Sequence, residues 1–179
     1  MRKILFLFAL LLILPLLSFA EDTSSLGVDV LSPVSCEATT AGSPIALYCG
    51  PTQGFYRADE ETLDPGKPYV YFGQFDCWSM VAQGTPDAFG PVGWVESALL
   101  DTLPDMPALA FESALTAMVE EDAPVTNDPL AVSTDNHRAL TLPRGTQVVI
   151  LAQMGDWLYI QTELDALPAR VFIPSNTVL

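Results

Sequence analysis

Short apolar runs separated by turn residues dominate the chain after its N-terminal stretch. Runs of about four to eight β-branched and aromatic residues, bounded by Gly, Pro, Asn or Asp, are typical of strands. The sequence does not carry the sustained apolar spacing of a long amphipathic helix. The pattern predicts an all-β protein, with strands at residues 69–74, 78–82, 92–96, 146–153, 157–162 and 170–174.

One sequence pattern occurs twice. Residues 63–81 align without a gap on residues 142–160. The alignment places Trp78 on Trp157, 79 positions apart. Because internal repeats usually mark repeated structural elements, this pattern predicts two copies of one small fold.

Two shorter stretches extend the repeat at an offset of 78 positions: residues 46–51 align on 124–129, and residues 93–97 align on 171–175. We therefore predict unit one at residues 33–100 and unit two at residues 114–179. Each unit holds about five short strands in about 65 residues. Since a flat sheet of that size cannot bury both faces, we expect two tandem small barrels, closed or half-closed.

The segments outside the two units are polar or rich in proline. Residues 21–32 read as a flexible tail, and residues 101–113, with two prolines and three acids, as a semi-stiff linker. Residues 109–119 are compatible with a short helix. Alternatively, Phe111 and Leu115 dock on a neighbouring barrel.

The N-terminus has the organisation of a secretory signal peptide. Arg2 and Lys3 precede the apolar run of residues 4–14, and residues 18–20 place small side chains at a cleavage site. We expect residues 1–20 to be removed and the mature chain to be secreted or extracytoplasmic, with membrane contact only during export. A retained membrane anchor is the alternative, although the run is short for a span of about 20 residues.

Charge and side-chain chemistry exclude several functions. The chain holds 22 acidic and 7 basic residues and a net charge of −15, which repels nucleic-acid phosphates. One histidine and three scattered cysteines do not form a common zinc site. One enzyme interpretation is a nucleophile formed by Cys49 or Cys77 with His137, but unit two, which contains His137, has no cysteine. The other is a pair of carboxylates for glycoside chemistry, and among so many acidic residues no pair stands out. We expect no enzyme, no cofactor and no metal.

The ordered motifs of both units resemble the Src-homology-3 (SH3) family. In unit two these motifs are Leu142-x-x-Gly145, Val148 to Leu151, Gly155-Asp156-Trp157 and Phe172 to Asn176; in unit one they are Ala46-Leu47-Tyr48, Leu63-x-x-Gly66, Trp78 and Gly93-Trp94-Val95. With a secretion signal, the chain looks most like the bacterial SH3-like (SH3b) modules of cell-envelope proteins. The resemblance covers about 130 residues.

The resemblance implies a groove of aromatic residues and one proline that binds extended peptides. When the groove positions of the family are carried over onto this sequence, unit one keeps Tyr48 and Trp78 and has Glu96 in place of the proline. Unit two keeps Trp157 and Pro174. Related bacterial modules are associated with peptidoglycan peptides or serve as spacers. We expect a non-catalytic binding or adaptor module whose partner is a cell-wall peptide or another envelope protein. The alternative is a structural spacer or interaction subunit without a cell-wall ligand.

Two clusters near the first loop of unit one are further candidates. Tyr56, close to Tyr48 in a Gly- and Pro-rich stretch, either forms part of a ligand shelf or closes the end of the barrel. Asp59, Glu60 and Glu61 form an acidic patch that either attracts a basic partner or is a solvated face.

All three cysteines lie in unit one, and export permits a disulfide. Cys36 and Cys49 are the preferred pair, because a turn at residues 42–44 would place them on successive strands. Other pairings and three free thiols remain open, and Cys77 is left over in the preferred arrangement.

Overall fold

The computed structural model describes residues 26–38, 42–57, 61–130 and 140–178. The predicted signal peptide at residues 1–20 lies outside the described residues, as do Asp59, Glu60 and His137.

The described chain is all-β. Its strands in unit one and the segment before it are β1 (Asp29–Val30), β2 (Val34–Cys36), β3 (Ile45–Ala46), β4 (Thr62–Leu63), β5 (Tyr69–Phe75), β6 (Trp78–Thr85) and β7 (Ala88–Glu96). Those of unit two are β8 (Leu115–Met118), β9 (Ala123–Pro124), β10 (Thr141–Leu142), β11 (Gln147–Met154), β12 (Trp157–Leu164) and β13 (Leu167–Pro174). Short 3-10 helices at Ser97–Leu99 and Ser175–Thr177 follow β7 and β13. None of the described helices is long and apolar enough to span a bilayer.

Each unit is built on one antiparallel sheet. In unit one the strand order is β2-β5-β6-β7, and in unit two β8 pairs with β11, which continues to β12 and β13. The small ladders β3–β4 and β9–β10 complete the two units. Strand β1 is the exception, because it pairs in parallel with β11 of unit two at Ala152 and Gln153.

The strand pairings repeat at the offsets seen in the sequence. An isolated antiparallel bridge joins Tyr48 to Trp94 in unit one, and Thr126 to Phe172 in unit two. Strands β5 and β11 carry their irregularities at matching positions, after Tyr71 and after Ile150. The two halves therefore share local irregular features as well as strand order.

The matching tryptophans follow equivalent tight turns. Asp76 and Gly155 adopt positive φ of 53° and 56° at these turns, as two-residue hairpin loops require. The side-chain amide of Gln74 donates to the Asp76 carbonyl at 2.6 Å, and that of Gln153 to the Gly155 carbonyl at 2.9 Å. Each turn thus places a tryptophan first on the next strand.

Of the three apolar clusters formed by the described residues, one draws on the sheets of both units. Unit one contributes Phe72, Trp78, Met80 and Trp94, among others, and unit two contributes Tyr159 and Phe172. Within this shared core, the indole N–H of Trp94 donates to the Tyr159 hydroxyl at 2.7 Å. The other clusters are centred on unit one and on unit two. Because the middle cluster draws on both sheets, the two units are packed as one body.

The segment that precedes each unit pairs with the sheet of the other unit, so that the two segments cross. Ahead of unit one, the Leu31 N–H donates to the Gln153 carbonyl of unit two at 2.9 Å; ahead of unit two, the Leu109 N–H donates to the Gln74 carbonyl of unit one at 2.7 Å. Leu109 lies so close to Gly73 that an added Cβ there would fall 2.6 Å from Leu109 Cγ. Each sheet is therefore extended by the segment that leads into the other unit.

This crossing changes the interpretation of both connecting segments. The sequence predicts a flexible tail up to residue 32, whereas Leu31 is only 4% exposed and packs in the shared core. In place of the helix considered at residues 109–119, the structure has irregular chain, a turn at residues 112–113 and strand β8. Phe111 is buried in the shared core, where it packs in a cluster formed by residues of both units.

We expect the Trp94–Tyr159 hydrogen bond to stabilise the whole chain. Tyr159→Phe leaves the buried indole N–H without its acceptor, which should lower the free energy of unfolding by about 1–3 kcal/mol. Urea unfolding, followed by circular dichroism and by tryptophan fluorescence, measures this and should show a single transition.

The control is a double-mutant cycle with Trp94→Phe, which places in unit one the residue type that stands at Phe172 in unit two. The cycle should give a coupling of about 1 kcal/mol. Two separate transitions, or unchanged stability in Tyr159→Phe, would contradict the shared core.

Candidate functional site

The structure brings Tyr48 and Trp78 together. The bridge to Trp94 holds Tyr48 in place, and Trp78 opens β6 after the tight turn. Their ring centroids lie 5.7 Å apart with the planes at 85°, an edge-to-face pair. The Arg57 guanidinium lies 5.9 Å from the Tyr48 ring centroid. Trp78 is only 7% exposed, whereas Tyr48 is half-buried and Arg57 is exposed, so Tyr48 and Arg57 are the accessible groups here.

Polar groups border this pair. Glu96 is the cross-strand neighbour of Trp78 and stands where the resemblance places a proline. The side-chain amide of Gln53 donates to the Glu96 carboxylate at 3.2 Å. We call Tyr48, Gln53, Arg57, Trp78 and Glu96 the unit-one face. It offers an aromatic edge with one cation and one carboxylate, which suits an extended peptide with polar groups along its length.

The equivalent face of unit two contains one aromatic residue. Trp157 and Pro174 are cross-strand neighbours on β12 and β13, and both are half-buried. Trp157 packs partly against the shared core. Thr126 stands at the position of Tyr48, and its hydroxyl accepts from the Asp128 N–H at 2.9 Å. The structure thus brings together both predicted pairs, which are two aromatic residues in unit one (Tyr48 and Trp78) and one aromatic residue with a proline in unit two (Trp157 and Pro174).

Tyr56 lies at the contact between the units. Its N–H donates to the Pro168 carbonyl of β13 at 2.8 Å, and its ring packs against the core of unit two. A hydrogen bond from the Arg170 N–H to the Cys49 carbonyl, at 2.6 Å, lies on the same edge of β13. The first loop of unit one therefore covers the outer edge of the last strand of unit two.

The reciprocal contact is also present. The Val92 N–H on β7 donates to the Asn127 carbonyl of unit two at 2.7 Å, which is the repeat-related counterpart of the Arg170–Cys49 bond. Each loop thus pairs with the last strand of the other unit, as in an isologous dimer interface.

Glu61, the described member of the predicted acidic patch, takes part in this contact. Its carboxylate accepts a hydrogen bond from the side-chain amide of Asn127. Burial, which is the largest cause, and the nearby Asp128 charge raise the pKa of Glu61 to about 7, against the opposing effect of the Asn127 hydrogen bond. This side chain therefore changes charge near neutral pH at the boundary of the two units.

Arg170 was not identified from the sequence. Its guanidinium lies 5.2–5.7 Å from the ring centroids of four residues, which are Phe55, Phe75, Trp94 and Phe111. Its Nε donates to Gln161 at 3.1 Å, whereas its buried Nη1 has no hydrogen-bond partner. Burial lowers the pKa of Arg170. The repeat alignment could have drawn attention to this residue, because it places Arg170 at the position of the apolar Val92 in unit one.

The cysteines lie in different surroundings. Cys36 packs against the unit-one cluster, Cys49 is buried in the unit-two cluster, and Cys77 is exposed at the turn before Trp78. The structure does not join Cys36 to Cys49 as a disulfide, because the two thiols belong to separate cores. Burial raises the pKa of the Cys36 thiol, which keeps that thiol protonated at neutral pH.

The described ranges bring together no group of three His, Cys, Asp or Glu residues suited to a metal ion.

No protein-family model, no curated protein and no solved structure matches the chain. The arrangement of the unit-one face, with rings, one cation and one carboxylate at its border, is suited to binding by contact and hydrogen bonding.

Glu61 predicts a pH dependence of stability. Its folded-state pKa of about 7 exceeds the ordinary value of 4.5, so the folded chain holds this proton more tightly than the unfolded chain. The stabilisation is complete below the ordinary pKa and is lost as the pH rises through about 7. Urea unfolding should show a loss of about 1–2 kcal/mol between about pH 5 and about pH 8, after allowing for solvent screening.

Glu61→Gln keeps an acceptor for Asn127 and removes the carboxyl group that titrates. The free energy of unfolding of this variant should therefore change less between about pH 5 and about pH 8. Glu112→Gln, at an exposed position, is the control and should retain the slope. Equal slopes in Glu61→Gln and the unaltered chain would contradict the assignment.

The surroundings of Arg170 predict that substitutions there differ in their effect on the free energy of unfolding. Arg170→Lys keeps the buried charge and loses the planar stacking, so we expect it to lower the free energy of unfolding by about 1–2 kcal/mol. Arg170→Met keeps apolar contact and removes the desolvated charge, so it should stay within about 1 kcal/mol of the unaltered chain. Thermal and urea unfolding measure both, and a lysine variant more stable than the methionine variant would reverse the interpretation.

Proposed function

We propose that the chain is an exported, non-catalytic interaction module of the bacterial cell envelope, built from two SH3-like barrel units held in a fixed relation. The observation that carries this proposal is the shared core, in which Trp94 of one unit bonds to Tyr159 of the other. Such packing makes the two units one rigid platform. The export part of the proposal is supported by the basic and apolar organisation of residues 1–20.

The proposed ligand is an extended peptide, with the peptides of the cell wall as the leading class. It would contact the Tyr48 ring and the Arg57 and Glu96 side chains of the unit-one face, which combine apolar area with both signs of charge. The Trp157–Pro174 pair provides a second, smaller surface. The net charge of −15 favours basic partners and makes their association sensitive to salt.

The second candidate is a structural spacer or interaction subunit without a cell-wall ligand. It is favoured by Trp78, which is 7% exposed and directs most of its area into the shared core. In that function the platform would hold another envelope protein, and its rigidity would be the useful property.

Retention on purified cell wall, measured at low and high salt, separates the two candidates. If the unit-one face binds, Arg57→Gln and Tyr48→Ala should each reduce retention about tenfold, equivalent to about 1.4 kcal/mol. Arg57 is exposed, so its substitution tests the face without disturbing the core.

Leu99→Ala alters an exposed apolar residue outside the face and serves as the control. Retention that is equal in all variants would contradict the assignment of the face. An unaltered protein that is not retained at either salt concentration would favour the spacer.

A further inference from the structure

A groove separate from the unit-one face lies where the two crossing segments approach one another. One wall is formed by Asp29, Val30 and Ser32, the opposite wall by residues 106–110 with Glu112 and Ser113, and Phe72 lines it from the sheet of unit one. Its volume is about 540 Å³, within the usual range of about 300–1,000 Å³ for binding pockets.

Both walls are anchored to the body of the protein. On one side Leu31 is buried and bonded to Gln153; on the other, Leu109 is bonded to Gln74 and packs over Gly73. Phe111 fixes the following turn of chain in the shared core. The groove is therefore largely preformed, which lowers the entropic cost of binding.

Strand β1 presents an unoccupied edge. Alternate residues of a strand direct their backbone groups to opposite edges, and Leu31 directs its N–H to β11. The N–H and C=O of Val30 consequently point to the other edge, and β11 is the only strand paired with β1 in the described structure. Such an edge accepts an added strand through main-chain hydrogen bonds.

The lining combines apolar and acidic groups. Val30 is 73% exposed, and Met106, Pro107 and Leu109 add apolar surface. Asp29 and Glu112 are the charged residues that line the groove, and no lysine or arginine is among the described residues that form it. A ligand that matches this lining is extended, alternates apolar with basic side chains and carries its own main-chain donors and acceptors.

We infer that this groove binds an extended peptide of alternating basic and apolar residues by strand addition to β1. This site goes beyond the proposed function, because it shares no residue with the unit-one face. The acidic lining accounts for a preference for basic peptides, and the exposed Val30 for a preference for apolar side chains at alternate positions.

The test uses the full chain and a fluorescein-labelled probe peptide of alternating lysine and valine, with binding measured by fluorescence anisotropy. Val30→Pro removes the N–H that points to the free edge and leaves the Leu31 bond to β11 in place, so we expect at least a tenfold loss of affinity. Ala108→Trp fills the groove from the opposite wall and should cause a similar loss.

The double variant Asp29→Asn with Glu112→Gln should weaken binding of the probe about tenfold and reduce its dependence on salt. The matched control, Glu163→Gln with Asp165→Asn, changes the net charge equally at two exposed residues at the end of β12 and in the turn that follows, and should leave affinity within about twofold.

Affinity unchanged in both Val30→Pro and Ala108→Trp would overturn the site. Equal losses in the two double variants would overturn the role of the acidic lining. A probe in which glutamate replaces lysine should not bind, and binding as tight as that of the basic probe would also refute the inference. Arg57→Gln should not affect the probe, so failure here is distinguishable from failure of the unit-one face.

Discussion

The apolar cluster between the two units is the constraint on which the rest of the structure depends. A unit of about 65 residues buries too little surface to be more than marginally stable alone. Here Trp94, Met80 and Phe72 of one sheet meet Tyr159 and Phe172 of the other, so each sheet supplies apolar surface that the other covers. The positions of the first loops, the crossing segments and the candidate surfaces all follow from that packing.

The contact is nearly symmetric, and its departures from symmetry are informative. The bonds Arg170–Cys49 and Val92–Asn127 are repeat-related, as in a dimer formed by two copies of one protein. At the centre the copies differ: Trp94 and Tyr159 form a polar pair, whereas the equivalent positions hold Phe172 and Met80. Arg170 likewise stands where unit one has Val92. Within one chain, such differences fix the units in a single relative arrangement.

Much of the strand content could be predicted from the sequence, because it depends on local pattern. Strands β5, β6, β11 and β12 begin within one residue of their predicted positions. Strand β7 starts earlier than predicted, since Gly90 and Pro91 suggest a turn but lie beside a register shift that accommodates them. The β12–β13 turn gave no signal, because Asp165 and Ala166 adopt positive φ without a glycine.

The features that could not be predicted all depend on the relation between the units. Nothing in residues 26–32 indicates that Leu31 pairs with β11, because its partner lies near the other end of the chain. Tyr48 and Trp78 were expected together and are in contact, whereas the burial of Trp78 and the position of Tyr56 follow from the second unit. Sequence pattern specifies which face of a strand is apolar, but not which surface covers it.

The reciprocal crossing has a consequence for the order of assembly. Strand β1 leaves the ribosome well before its partner β11, because Asp29 pairs with Ala152, which is more than 100 residues later in the chain. Contacts so distant along the chain form late, since a large loop must close first. Leu31 therefore remains exposed until β11 emerges. The parallel pairing of β1 with β11 is completed only after β11 has been synthesised.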